Sequence, residues 1–144
     1  MAVVFYRLTK KFVDDARSIP QEAGDVLYYT LAIGHHTGII DCFEERVRFS
    51  MERYEALTRA LPAGDARFKL EGIFRFGEIT VDKTHAPMLI AALRAALDAE
   101  LDRFGAQGEA TGVSALAADL GELLDALEEV RIEPHVYMVG RSLA

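Results

Sequence analysis

The densest group of reactive side chains in the sequence is His35, His36, Asp41, Cys42, Glu44 and Glu45, all within eleven positions. Imidazole and thiolate suit zinc or nickel, and carboxylates add charge, so these residue types admit a metal site. The spacing is less specific. Adjacent histidines project in different directions on a helix or a strand, so His35 and His36 share one ion only if the chain turns unusually. Gly34 and Gly38 permit such a turn. The competing reading, a structural or partner-contacting segment, is the favoured one, and it leaves His35, His36, Cys42 and Glu44 as the metal candidates.

Cys42 could act as a nucleophile only with a base such as His35, His36 or His85 and a third group to orient that base, which a sequence does not display. Single intracellular cysteines are usually buried and inert. No dinucleotide or phosphate-loop glycine pattern is present; Gly72 and Gly77 bracket IFRF and read as turn glycines at a strand edge. In EGIFRFGE, Glu71 to Glu78, Phe74 and Phe76 stand beside Arg75, the residue mixture of interface hot spots. Read as a strand, this run puts Phe74 and Phe76 on one face and Arg75 on the other, with core packing and partner contact weighted equally. His85 and His135, beside element ends, read as cap or surface groups.

The elements that must position these residues follow from hydrophobic period and punctuation. Ala2 to Leu8 alternates Val4, Tyr6 and Leu8 against Val3, Phe5 and Arg7, as a half-buried strand requires. Pro20 with Gln21 and Glu22 reads as the start of a helix to about Ile33, because proline suits the first turn and acidic groups favour the positive helix end. The HHTG stretch after Gly34 is a turn, and Ile39 to Arg46 is a candidate short helix. Ser50 caps a predicted helix from Met51 to Leu61, which Pro62-Ala63-Gly64-Asp65 ends before a connector.

Phe74, Phe76 and residues 77 to 81 favour a second strand. Ala86 to Phe104 carries a continuous apolar stripe that predicts a long amphipathic helix. Gly105, Gly108 and Gly112 mark a loop, Ser114 caps a further helix through Val130, and His135 to Leu143 is a closing strand. The fold class is therefore α+β, one domain over residues 1 to 144, with about three mainly antiparallel strands and four to five helices on one face.

A chain of 144 residues fits one domain, and 51% hydrophobic with 27% charged residues places it among ordinary globular proteins rather than disordered ones. Sixteen basic against 23 acidic residues give a net charge of −7, which repels phosphate backbones and anionic lipid. Nucleic acid is thus not an expected partner. No apolar run reaches the roughly 20 residues of a membrane span, so no direct membrane insertion is expected. The N-terminus reverses the charge order of a signal peptide, and a cytoplasmic location is the expectation. A lone Cys42 forms no internal disulfide.

Longer strings carry a resemblance. YYTLAIGHHTGIIDCFE at Tyr28 to Glu44 and EGIFRFGEITVDKTHAPML at Glu71 to Leu89 resemble the formate hydrogenlyase maturation protein family, of HycH/HyfJ type. KKFVDD at Lys10 to Asp15 and VYMVGRSL at Val136 to Leu143 extend the likeness over nearly the whole chain. The resemblance implies a factor for maturing the nickel-iron hydrogenase large-subunit precursor of a formate hydrogenlyase or related membrane hydrogenase. In that family the C-terminal cleavage belongs to a separate endopeptidase and nickel delivery to other accessory proteins.

The implied role is that of an accessory or chaperone protein, not an enzyme, with no cofactor and no catalytic residues. Its expected partner is the large-subunit precursor, with the small subunit or other maturation factors as alternatives. The expected contact residues are Tyr28, Tyr29, His35, His36, Asp41 and Cys42, followed by Phe74, Arg75, Phe76 and Glu78. The alternative function is a nickel or iron carrier built on His35, His36 and Cys42.

Overall fold

A computed structural model describes residues 1–13, 27–33, 36–106, 114–133 and 136–143, with side chains over 1–8, 43–103, 114–133 and 136–143. The first strand, β1 (Ala2–Val13), is the centre of a five-stranded sheet among the described residues, and it runs further than its alternating N-terminal part predicts. On one side it pairs with β3 (His36–Ser50), on the other with β5 (Met138–Leu143), both antiparallel. β2 (Leu27–Ile33) lies outside β3, and β4 (Glu78–Val81) lies outside β5. The order is β2-β3-β1-β5-β4, and each of these pairings is antiparallel.

Four helices accompany the sheet among the described residues. α1 (Met51–Ala60) begins at Ser50, whose hydroxyl accepts the Arg53 backbone N–H at 3.2 Å and satisfies one of the unpaired donors at a helix start. α2 (Asp65–Phe76) ends at Gly77, which has φ 79°, and the Gly77 N–H reaches the Ile73 carbonyl at 2.8 Å. A left-handed residue there closes the last turn, and only glycine takes that conformation without steric cost. α3 (Ala86–Ala106) and α4 (Ala115–Ile132) follow, with the Ser114 hydroxyl accepting the Ala117 N–H at 3.0 Å.

Alternation along the strands builds two cores. Val3 and Phe5 of β1, Val47 and Phe49 of β3, Ile79 and Val81 of β4, and Met138 of β5 meet the apolar stripes of the helices. Leu57 of α1, Leu70 of α2, Leu89 of α3 and Leu123 of α4 are fully buried there. Each such side chain contributes about 1.5–3 kcal/mol by leaving water. The intervening positions, Val4, Tyr6, Leu8, Phe43 and Val139, form a second buried cluster, with Tyr137 packed edge-on to Phe43 at 5.3 Å. Gly140, opposite Phe5 in the β1–β5 register, leaves room for the Phe5 ring; a methyl there would sit 2.8 Å from Phe5 and 2.9 Å from Ile73.

The α+β class and the helices α1, α3 and α4 agree with the sequence reading, but three segments require correction. Leu27–Ile33, expected as the end of a helix from Pro20, is strand β2; residues 20–26 lie outside the described residues. Ile39 to Arg46, expected as a short helix, is the middle of β3. The run Tyr28-Tyr29-Thr30 and the pair Ile39-Ile40 are aromatic and β-branched, and pairing in a hairpin overrides weak helix-start signals. Asp65–Phe76, expected as a connector running into a strand, is α2, because Ala66, Leu70 and Ile73 recur at helical spacing and are buried. The sheet accordingly has five strands rather than about three, and Gly105, expected in a loop, lies within α3, while Gly108 and Gly112 are outside the described residues.

Candidate functional site

The helical state of α2 decides what Phe74, Arg75 and Phe76 can do. On a helix, residues at i, i+4, i+7 and i+8 share one stripe, so Phe68, Arg75 and Phe76 share an exposed stripe with the buried Gly72 between them, while Ala66, Leu70 and Ile73 face the core. The expectation that Phe74 and Phe76 share a face opposite Arg75 is thereby overturned. Phe76 is 77% exposed and Phe68 67%. The Arg75 guanidinium lies 4.1 Å from the centre of the Phe68 ring and 5.6 Å from that of Phe76, and it donates to the Phe68 carbonyl at 2.6 Å. Gly72 lets Ile79 of β4 approach the helix, since a methyl at 72 would stand 2.8 Å from Ile79, with the Arg75 and Phe76 side chains each 3.8 Å away.

Phe74 turns the other way. Its ring packs edge-on to Tyr54 at 5.5 Å and borders a shallow cleft of about 200 Å³ between α1 and α2, lined with Glu55, Arg59, Arg67 and Glu71. Tyr54 is fully buried and its hydroxyl donates to the Leu70 carbonyl at 2.7 Å. Burial pushes the Tyr54 phenol well above its ordinary value, so it remains a neutral donor and fixes α1 against α2. Glu78, at the start of β4, is half-buried and pairs with Arg141 of β5 at 3.1 Å, which makes it part of the sheet edge beside Phe76.

The other predicted group lies along the β2–β3 hairpin. The backbone register places Tyr28 opposite Cys42 and Tyr29 opposite Asp41, and on the other side of β3 it places Lys10 opposite Cys42 and Lys11 opposite Asp41. His36 opens β3, opposite Ile33. His35 lies outside the described residues, as do the side chains of Tyr28, Tyr29, His36, Asp41 and Cys42. Among the described residues no three His, Cys, Asp or Glu side chains gather as a metal-holding group. His85 sits at the start of α3, where its Nδ1 accepts the Asp82 N–H at 3.2 Å, a local capping arrangement.

Glu44 leads instead to a corner that sequence reading missed. Between Phe5 and Tyr6 the β1–β3 register slips, so that Phe5 faces Val47, Tyr6 faces Glu45, and Arg46 is the extra residue of a bulge. Arg46 reaches α4, where its Nε donates to Glu129 at 2.9 and 3.1 Å, and Arg7 joins at 3.1 Å. With Glu44 and Glu45 these residues line a cleft of about 150 Å³. Partial burial raises the Glu129 carboxyl, but the hydrogen bond and charge of Arg46, aided by Arg7, outweigh it and hold Glu129 below the ordinary glutamate value. A bulge is not legible from alternation alone, since it appears only when two strands are paired.

The arrangement as a whole is suited to recognition: an aromatic and cationic helix face beside a short edge strand, on a scaffold tied by ion pairs. It is a helix-backed antiparallel sheet with exposed aromatic side chains beside an arginine on one helix. A family model for "Formate hydrogenlyase maturation protein HycH" matches residues 2–142. The chain is 38% identical over 142 residues to "Formate hydrogenlyase maturation protein HycH" of Escherichia coli (strain K12), covering 98% of this chain and 96% of that protein. It is 34% identical over 142 residues to "Hydrogenase-4 component J" of the same strain, covering 99% and 95%. The chain belongs to the formate hydrogenlyase maturation protein HycH family. No solved structure matches it, and no described helix is long and apolar enough to cross a membrane.

Proposed function

We propose that the protein is a binding factor in hydrogenase maturation that holds the precursor of a nickel-iron hydrogenase large subunit and covers its apolar surface until the metal centre is complete. Membership of a family named for formate hydrogenlyase maturation supports the setting. The observation that carries the binding mode is the α2 surface, where Phe68 and Phe76 are exposed beside Arg75 and Phe74 is exposed on the side facing α1. Large exposed aromatics on a rigid helix are expensive to leave in water and are the usual anchors of protein interfaces. Tyr28 and Tyr29 of β2 and His36, Asp41 and Cys42 of β3, together with His35, form a second contact segment in this reading, with Glu78 at the edge of the first.

A factor of this kind must release its client, so it must prefer the precursor to the mature subunit; each tenfold of preference is about 1.4 kcal/mol. Calorimetric titration of the purified protein with each form of the large subunit tests this. Precursor binding at least tenfold tighter than mature-subunit binding is the expected result, and equal affinity overturns the reading. Alanine at both His35 and His36 is expected to leave the fold intact while impairing large-subunit processing in cells, and unchanged hydrogen production in that variant removes the hairpin segment from the proposal.

A further inference from the structure

We infer that the exposed face of α2 is a receptor for a carboxylate flanked by apolar side chains on the client protein, with the Arg75 guanidinium, seated against Phe68 and Phe76, as the receiving group. The inference deepens the proposed binding of a hydrogenase precursor and rests on it. Its basis is the distribution of charge pairing. Among arginines whose side chains are described, each apart from Arg75 makes an ion pair with a carboxylate. This holds even for strongly exposed ones such as Arg59, paired with Glu55. Arg75 has no ion pair among the described residues, although the chain carries seven more acidic than basic groups.

The guanidinium is nonetheless held in place. One nitrogen donates to the Phe68 carbonyl at 2.6 Å, and the flat cation lies over the Phe68 ring at 4.1 Å, with Phe76 beyond it at 5.6 Å. Stacking of this kind orients an arginine without consuming its donors, so the remaining N–H groups keep the fork geometry that takes a carboxylate in two parallel hydrogen bonds. Lys69 and Lys83 are also without an ion pair among the described residues, but neither is stacked between rings, and an ammonium lacks the fork.

The surroundings specify the rest of the ligand. Phe68 and Phe76 are 67% and 77% exposed, so an occupant must bring apolar groups to either side of its carboxylate. Two turns of helix from 68 to 76 span on the order of 12 Å, the length of roughly four residues of extended chain. A net charge of −7 argues against the polyanionic alternatives of nucleic acid and anionic membrane, whose repulsion one arginine does not offset. What fits is a short segment of protein in which an Asp, a Glu or a terminal carboxylate lies between hydrophobic side chains.

The test measures dissociation constants of the full chain for purified hydrogenase large-subunit precursor, with circular dichroism confirming each fold. Arg75→Met keeps the apolar volume and removes the charge; it is expected to weaken binding at least tenfold, and Arg75→Glu more. Phe68→Ser with Phe76→Ser is expected to weaken it comparably, whereas Arg94→Glu, on the exposed side of α3, changes it less than twofold. If wild type binds the precursor and Arg75→Met binds equally well, the carboxylate receptor is overturned while precursor binding stands. Equal weakening by Arg94→Glu overturns it in favour of unspecific attraction. If wild type does not bind the precursor, the broader reading falls and this inference falls with it.

Discussion

The corner where α4 meets β1 and β3 and the outer face of α2 use the same residue types to opposite ends. At the corner, Arg7 and Arg46 converge on Glu129, and toward the other end of α4 Arg53 of α1 forms a two-pronged pair with Asp119, a carboxylate only 2% exposed. Each cation there is answered from within the chain. On α2, Arg75 is answered by two phenyl faces and a carbonyl, and the phenylalanines themselves face solvent. Internal pairing joins elements distant in sequence, while the α2 face keeps a cation without an ion pair among the described residues and apolar area in water, which the proposed binding would use. The first region should therefore report on stability and the second on association.

Substitutions can break or sharpen that division, starting with the core. Phe5→Ala, which empties a fully buried ring site beside Phe49 and Tyr54, is expected to cost about 3–5 kcal/mol, measured by urea unfolding. Gly140→Val places branched carbons against Phe5 and Ile73 and is expected to cost about 1–3 kcal/mol. A cost below about 0.5 kcal/mol would show that the β1–β5 contact yields more readily than this packing implies. Ser114→Ala removes the α4 cap and a hydrogen bond to Glu100, with an expected loss of about 1 kcal/mol. Phe76→Ser, at the opposite extreme, is expected to change stability by less than about 0.5 kcal/mol while weakening precursor binding; a large loss of stability would erase the distinction between the regions.

Acid gives a graded version of the same comparison. The hydrogen bond from Arg103 chiefly holds the Glu100 carboxyl below its ordinary value, against opposition from burial and with help from Ser114, and Glu129 is lowered too. A carboxyl whose folded value is depressed contributes stability that is present above its unfolded value and is lost as pH falls through the folded one. Urea midpoints are thus expected to hold from pH 7 to 5 and to decline below about pH 4. Glu129→Gln should flatten that decline, and an unchanged slope would remove Glu129 as a contributor.

Much of the scaffold was legible in the sequence because its signals were local. Ser50 and Ser114 cap α1 and α4 as their positions predict, and the apolar stripe from Met88 to Phe104 is α3. β1 and β5 followed from alternation. The hairpin β2–β3 was missed because Pro20, Gln21 and Glu22 offered a helix start, whereas strand pairing between residues 27–33 and 36–43 is not a local property. α2 was missed because Gly72 and the alternating phenylalanines of IFRF mimic a strand; the spacing of Ala66, Leu70 and Ile73 was the available counter-signal. Arg75 and Phe76 were singled out from composition, yet Phe68 was not, because its partnership with them depends on eight residues being two turns of helix.

The central position of β1 bears on how the protein is made. Its pairings to β3 and β5 bring residues 2–7 against residues 44–50 and 138–143. On a translating ribosome, β1 must wait until β5 has emerged before its second neighbour exists, and β4 has no seat in the sheet until β5 arrives. Contacts so distant in sequence fold slowly and leave an edge open meanwhile. A factor whose proposed work is to guard another unfinished protein thus passes through an unguarded interval of its own, and shortening the chain at Met138 should leave a product that cells clear rather than accumulate.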